Sequence, residues 1–153
     1  MKLLRVGQFG KEKPAALDKT RKIRDLSQHV ADFNPTTLNF EMLEKLKKVN
    51  LESLPEVPPT VRIGSCIAKP GKFLAVGLNY SDHAVETNAK IPKEPIIFNK
   101  AANCIIGPND NIILPKLSKK LDWEVEIAFV IGKNTKYISE KEAPSYILGY
   151  CTV

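Results

Sequence analysis

Hydrophobic and polar positions alternate most regularly over residues 122–133, where Trp123, Val125, Ile127, Phe129 and Ile131 interleave with Glu124, Glu126, Ala128 and Val130 before Gly132-Lys133. A period of two, with β-branched and aromatic residues, predicts a strand in which those two sets face opposite sides. Lys72–Val76 predicts a short buried strand ending at Gly77, followed by a helix from about His83 toward Asn88 capped by Ser81 or Asp82. Nearer the N-terminus, Lys2–Phe9 alternates as a strand and Ile23–Leu26 forms a second, with a polar turn at Asp18, Lys19 and Thr20. Phe40, Leu43, Leu46 and Val49 recur at helical intervals behind a cap at Thr36 or Thr37. Pro55, Pro58 and Pro59 predict a stiff linker without regular structure. These elements divide the chain into an N-terminal α/β subdomain (1–54), a proline-rich linker (55–60) and a β-rich region (61–153), an α+β protein.

The strand at 122–133 carries the first candidate chemistry. Residues two apart on a strand place their Cα atoms about 6.6 Å from each other on one face, so Glu124 and Glu126 can converge on one hard cation. Their face continues as Ala128 and Val130, which predicts partial burial. Two neighbouring carboxylates on such a face repel and favour a metal ion or a shared proton. The competing reading is a solvated strand face, on which alternate glutamates need no partner. The second candidate is His83 with Glu86, three residues apart on the predicted helix and so on one side of it. A carboxylate beside an imidazole orients the ring and raises its basicity, as a general base requires; a plain surface pair is the alternative.

Composition narrows the classes. With 43% hydrophobic and 26% charged residues the chain is neither disordered nor dominated by apolar spans, and no run of about 18 apolar residues or leader pattern occurs. The net charge of +6 comes from lysines scattered among acids, such as Lys45, Lys47 and Lys48 beside Glu41 and Glu44. No basic stripe is interleaved with aromatics, which argues against nucleic acid and suits small anionic substrates. Cys66, Cys104 and Cys151 are widely spaced, without a Cys-x-x-Cys pair, and predict reduced, mostly buried thiols in a cytoplasmic protein.

Four motifs, in order, resemble the fumarylacetoacetate hydrolase family. Val76-Gly77-Leu78-Asn79-Tyr80-Ser81-Asp82-His83 resembles its strand-to-helix motif, and Lys93–Lys100 its following strand. Gly107-Pro108-Asn109-Asp110 with Ile112–Pro115 resembles its next turn and strand. Asp122-Trp123-Glu124-Val125-Glu126 resembles its metal-binding Glu-x-Glu strand. The likeness runs from about Lys69 to Val153, closest to the acylpyruvase-like members, and covers the N-terminal half of a member. It implies the first part of a mixed β-roll. The family's third ligand, an Asp, its downstream substrate-binding lysine and its Gly-Thr-Pro loop have no counterpart. The apolar run Ile147–Val153 ends without turn or cap, so the chain is read as a fragment.

What the resemblance implies is a divalent-metal hydrolase or lyase cleaving C–C or C–N bonds in small keto or diketo acids. Glu124 and Glu126 would ligate Mg²⁺, or alternatively Mn²⁺ or Ca²⁺. His83 oriented by Glu86 would move the proton, and Lys100, Tyr80 and Asn79 would bind substrate. The His83 helix would act as a mobile lid. A homodimer without nucleic-acid or membrane partners is expected. Alternatives are an inactive folding or association unit and, within enzymes, a ureidoglycolate-type lyase, a 2-keto acid hydratase or isomerase, or an oxaloacetate decarboxylase.

Overall fold

The computed structural model describes all 153 residues, with eight strands, two short α-helices and three single turns of 3-10 helix. In chain order the strands and α-helices are β1 (Lys2–Val6), β2 (Lys13–Leu17), β3 (Ile23–Asp25), α1 (Phe40–Lys47), β4 (Glu56–Val57), β5 (Phe73–Gly77), α2 (Ser81–Glu86), β6 (Ile96–Lys100), β7 (Ile127–Ile131) and β8 (Ile147–Thr152). The α+β, strand-rich character expected from the sequence is therefore present. The chain divides into two compact units, one of residues 1–68 with 106–153 and the other Lys69–Ile105.

The first unit is built on an antiparallel sheet in the order β1-β2-β3-β4. Alternation places Ala15 and Ala16 of β2 on opposite faces, and each face acquires its own core. Ala16 packs with Leu26, Val30, Phe33 and Leu46, the last from α1, while Ala15 packs with Val6 and Ile23 under Val57, Val61 and Ile63. Small residues at the centre of β2 let both layers approach closely.

Three local expectations change here. Strand β2 was not foreseen, because Pro14 sits inside it; the Pro14 carbonyl accepts from Leu26 N at 2.9 Å at the end of the β2–β3 ladder, where the missing N–H costs little. The proline segment is not free of regular structure: Glu56 and Val57 pair with Arg24 and Ile23. Two non-proline residues between Pro55 and Pro58 suffice for an edge strand, and Pro55 itself accepts from Asp25 N. Helix α1 is capped by Asn39, whose side chain accepts from Met42 N at 2.9 Å, rather than by a threonine. Thr36 and Thr37 instead close a turn on the Asn34 side chain.

The β7–β8 hairpin belongs to the same unit. Its ladder runs from Ile127↔Thr152 to Ile131↔Ile147 with an irregularity at Val130/Ile131. Gly132 ends β7 against α1: a Cβ there would lie 2.7 Å from the Phe40 ring and 3.0 Å from Leu148 Cβ. The Lys133 ammonium stands 4.0 Å from the Tyr146 ring centroid and 5.8 Å from that of Phe40, a cation–π clasp at the same corner. Gly132→Ala is expected to destabilise this unit by about 1–3 kcal/mol, the usual cost of overpacking, read as a lowered midpoint in urea.

The second unit pairs β5 with β6 antiparallel, from Phe73↔Lys100 to Gly77↔Ile96, with α2 in the connection. β5 was expected to be buried; Leu74 and Val76 are instead exposed. In this unit Ala84 alone is fully buried, so the hairpin has no apolar layer of its own to cover it.

Candidate functional site

Helix α2 starts at Ser81 with Tyr80 at its N-cap, two residues earlier than the sequence suggested, and ends at Glu86. Asn88, at φ 54°, then turns the chain in the left-handed region that asparagine tolerates. Leu78 also lies there, at φ 49°, which a leucine adopts only at a cost of about 1–3 kcal/mol. That bend directs the chain from β5 into Asn79 and Tyr80, both exposed. Asp82 does not cap the helix from the expected position; its carboxylate accepts from His83 N at 3.1 Å. His83 and Glu86 share the helix and are both exposed. No hydrogen bond joins their side chains; the His83 carbonyl accepts from Thr87 Oγ1 at 2.8 Å. Lys100 closes β6, exposed, with its ammonium 5.9 Å from the Phe98 ring centroid.

In the other unit, β7 begins later than the alternation suggested. Regular pairing starts at Ile127, extended by Glu126, whose N–H donates to Val153 O at 2.8 Å and whose carbonyl accepts from Val153 N at 3.0 Å. Residues 122–125 have no ladder partner in this chain. The alternation still decides exposure: Glu126 is half-buried with Ala128 and Val130, and Ile127, Phe129 and Ile131 face outward. Glu124 lies beyond the ladder and is exposed. The strand expected at Ile112–Pro115 is irregular and exposed for the same lack of a partner. No group of three or more His, Cys, Asp or Glu residues gathers to hold a metal ion. Glu124 and Glu126 therefore offer a two-carboxylate, all-oxygen donor set, which fits a hard divalent ion that keeps waters and substrate in its other positions.

Sequence spacing did not reveal the charge network that fixes the neighbouring turn. Arg62 grips Asp110 with both Nε (2.7 Å) and Nη2 (2.5 Å), and donates from Nη1 to Glu12 Oε1 at 2.8 Å. Asp110 Oδ2 also accepts from Gly107 N at 2.7 Å, closing the Gly107–Asp110 turn. The Arg62 hydrogen bond, with that backbone donor, holds the Asp110 carboxyl below the ordinary carboxylate range. Gly107 is required here, since a Cβ would stand 2.2 Å from the Ile63 carbonyl oxygen. The only signal in the sequence was the Gly-Pro-Asn-Asp turn itself. The thiols are less buried than expected, Cys104 being exposed and Cys66 and Cys151 half-buried; burial, then the neighbouring Cys151, pushes the Cys66 thiol up to about 11, away from nucleophilic use. A shallow cleft of about 320 Å³ lined by His29, Thr37, Glu41 and Lys45 contains none of the predicted site residues. No helix is long and apolar enough to cross a membrane.

Known proteins resemble this chain in sequence and in fold. Residues 72–153, more than half of the chain, match the family model described as fumarylacetoacetate (FAA) hydrolase C-terminal. A Burkholderia ambifaria protein named "Putative hydrolase" is 48% identical over all 153 residues, which span 54% of its own length. A Burkholderia multivorans protein of the same name has the same identity and coverage. Among solved structures, the fumarylacetoacetate hydrolase of psychrophilic Exiguobacterium antarcticum superposes with a TM-score of 0.75 at 26% identity, covering 99% of this chain and 54% of that one. An uncharacterised Mycobacterium abscessus protein gives 0.68 at 27% identity, again over 99% of this chain and 54% of its own. The chain thus spans about half the length of the relatives it matches, and it belongs to the fumarylacetoacetate hydrolase family.

Proposed function

We propose that this chain carries part of a divalent-metal site that cleaves C–C or C–N bonds in small anionic keto or diketo acids. The observation that carries the reading is the Glu124-x-Glu126 pair leading into β7, with Glu126 half-buried and fixed by its backbone ladder to Val153. Family membership supports hydrolase or lyase chemistry, while substrate and metal are this proposal's own. Glu124 and Glu126 would hold Mg²⁺, or Mn²⁺ or Ca²⁺ in its place, with further ligands from polypeptide beyond these residues. When bound, the ion supplies Lewis-acid polarisation of a carbonyl oxygen.

The chain's own residues take the other roles. His83 would accept or return a proton at an imidazole nitrogen, with Glu86, on the same side of α2, swinging in to orient it as ligand binds. Lys100 would pair with a substrate carboxylate, and Asn79 and Tyr80, presented by the Leu78 bend, would line the mouth. A ureidoglycolate-type lyase, a hydratase or isomerase, or an oxaloacetate decarboxylase would use the same groups on a different small acid.

Mn²⁺ titration followed by electron paramagnetic resonance tests the metal assignment. These residues alone are expected to bind at about millimolar or weaker, because two carboxylates leave most of the octahedron to water. A polypeptide extended to the length of the relatives is expected to bind far more tightly. Absence of binding in both would return Glu124 and Glu126 to a solvated strand face. In the extended protein His83→Ala should lower turnover while leaving Mn²⁺ affinity nearly unchanged; lost affinity would make His83 a ligand instead.

A further inference from the structure

One pair of nucleophilic side chains has no part in the chemistry proposed above. Of the three cysteines, all free thiols, Cys104 is exposed and belongs to the unit Lys69–Ile105. Cys66 and Cys151 are half-buried and belong to the other unit. They stand far apart in sequence, yet their side chains meet: the Cys151 thiol is the hydrogen-bond neighbour of the Cys66 thiol.

Both sit on backbone that is fixed on either side. Cys66 lies in a strap between two hydrogen bonds, Gly64 N to the Arg5 carbonyl at 2.8 Å and Ala68 N to the Phe33 carbonyl at 2.7 Å. Within the strap the Ser65 carbonyl accepts from Arg5 Nη1 at 3.4 Å, and the Ser65 hydroxyl donates to the Ile67 carbonyl at 2.9 Å. Cys151 is held in the β7–β8 ladder directly opposite Ala128. Alternation turns it away from the exposed Tyr150 and Thr152, onto the half-buried face of Ala128, Val130 and Gly149. Two thiols brought together by anchored segments lack only an acceptor for two electrons.

We propose that Cys66 and Cys151 form a redox switch, which glutathione disulfide closes into an intramolecular disulfide that pins β8 to the strap beside β1. The Cys151 thiolate attacks one glutathione sulfur, giving a mixed disulfide and releasing one glutathione. The Cys66 thiol then loses its proton and attacks the Cys151 sulfur, releasing the second. Two protein thiols are oxidised, one glutathione disulfide is reduced to two thiols, and the two protein protons end on those thiols. The surroundings set the order. Burial and the Cys151 charge hold Cys66 protonated, and the mixed disulfide removes that charge before Cys66 has to react. In a reducing compartment the pair stays open and responds only when glutathione disulfide rises. The inference is independent of the metal reading, because it is read by thiol pairing and stability rather than by ion binding or turnover.

The test equilibrates these 153 residues, shown by far-UV circular dichroism to be folded, with glutathione redox buffers. Peptide mapping by mass spectrometry should find a Cys66–Cys151 crosslink within the monomer, unchanged in Cys104→Ser and absent in Cys151→Ala. The effective concentration of the pair against glutathione should fall at least about 100-fold in concentrated guanidinium, the counterpart of the stabilisation a native disulfide gives. Closing a loop of roughly 85 residues should raise the urea midpoint of the oxidised chain by about 1–3 M over the reduced one. Pairings that include Cys104 and form as readily as Cys66–Cys151 in the folded chain would overturn the proposal. So would glutathione that stays on Cys151 without resolving, or a crosslinked chain whose midpoint is no higher than that of the reduced one.

Discussion

Arg5→Met is expected to cost about 3–5 kcal/mol of folding stability, the range for leaving a buried charge without its partner. Arg5 is nearly buried on β1 and grips Asp32 through Nε at 2.6 Å and Nη2 at 3.0 Å, while Nη2 also reaches Glu12 at 3.4 Å. Glu12 in turn receives Arg62, so one guanidinium joins β1, the loop before β2 and the segment leading to α1. Methionine fills a similar volume but leaves Asp32 unpaired and Glu12 with one cation instead of two. Urea unfolding by far-UV circular dichroism is the measurement, since Trp123 is 80% exposed and would report little. A loss below about 1 kcal/mol would place this pair with ordinary surface ion pairs.

The same network sets a pH dependence. Burial alone would raise Glu12, but the hydrogen bond from Arg62 and the charges of Arg5 and Arg62 outweigh it and hold the carboxyl below its ordinary value. A carboxylate depressed in the folded state contributes stability fully above its unfolded pKa, about 4.3, and that contribution disappears as pH falls through the lower folded value. Wild-type stability should therefore fall in acid below about pH 4–5, and Glu12→Gln should flatten part of that fall. Asp18, held low by Thr20, Arg24 and two backbone donors despite its burial, keeps the remaining acid sensitivity in the variant.

Strand β1, helix α1 and the β7 alternation were legible because their patterns are local: a residue's neighbours in sequence decide its face. Strands β2 and β4 were not, because Pro14, Pro55 and Pro58 suppress the usual signal while leaving just enough donors for the pairings made. The Arg62–Asp110 grip joins residues 48 apart in sequence, a separation that no periodicity encodes. At the candidate site the pattern showed which face Glu126 occupies but not where the strand begins. Strand length depends on a partner, and residues 122–125 have none here. The His83–Glu86 spacing gave a shared helix side, whereas a hydrogen bond between exposed side chains depends on rotamers that nothing in this unit packs into place.

Glu126→Gln, in a polypeptide extended to the length of the relatives, is expected to weaken Mn²⁺ binding by more than about 100-fold. Loss of an outer-shell partner already costs about 10–100-fold, and a direct carboxylate ligand should exceed that. The fold should survive, because Glu126 is held through its backbone to Val153 and its side chain makes no hydrogen bond or ion pair here. Glutamine keeps the shape and removes the charge, so a structural explanation of any loss is weak. Glu124→Gln separates the two readings of the strand. An equal loss would mean that the exposed segment 122–125 joins the strand, bringing Glu124 onto the same ion. A loss at Glu126 alone would leave Glu124 on a wet face, with the ion held by Glu126 and groups from outside these residues. Wild-type affinity in both variants would remove the metal from this strand, and the half-burial of Glu126 would then have to be explained by packing beside Ala128 and Val130 alone.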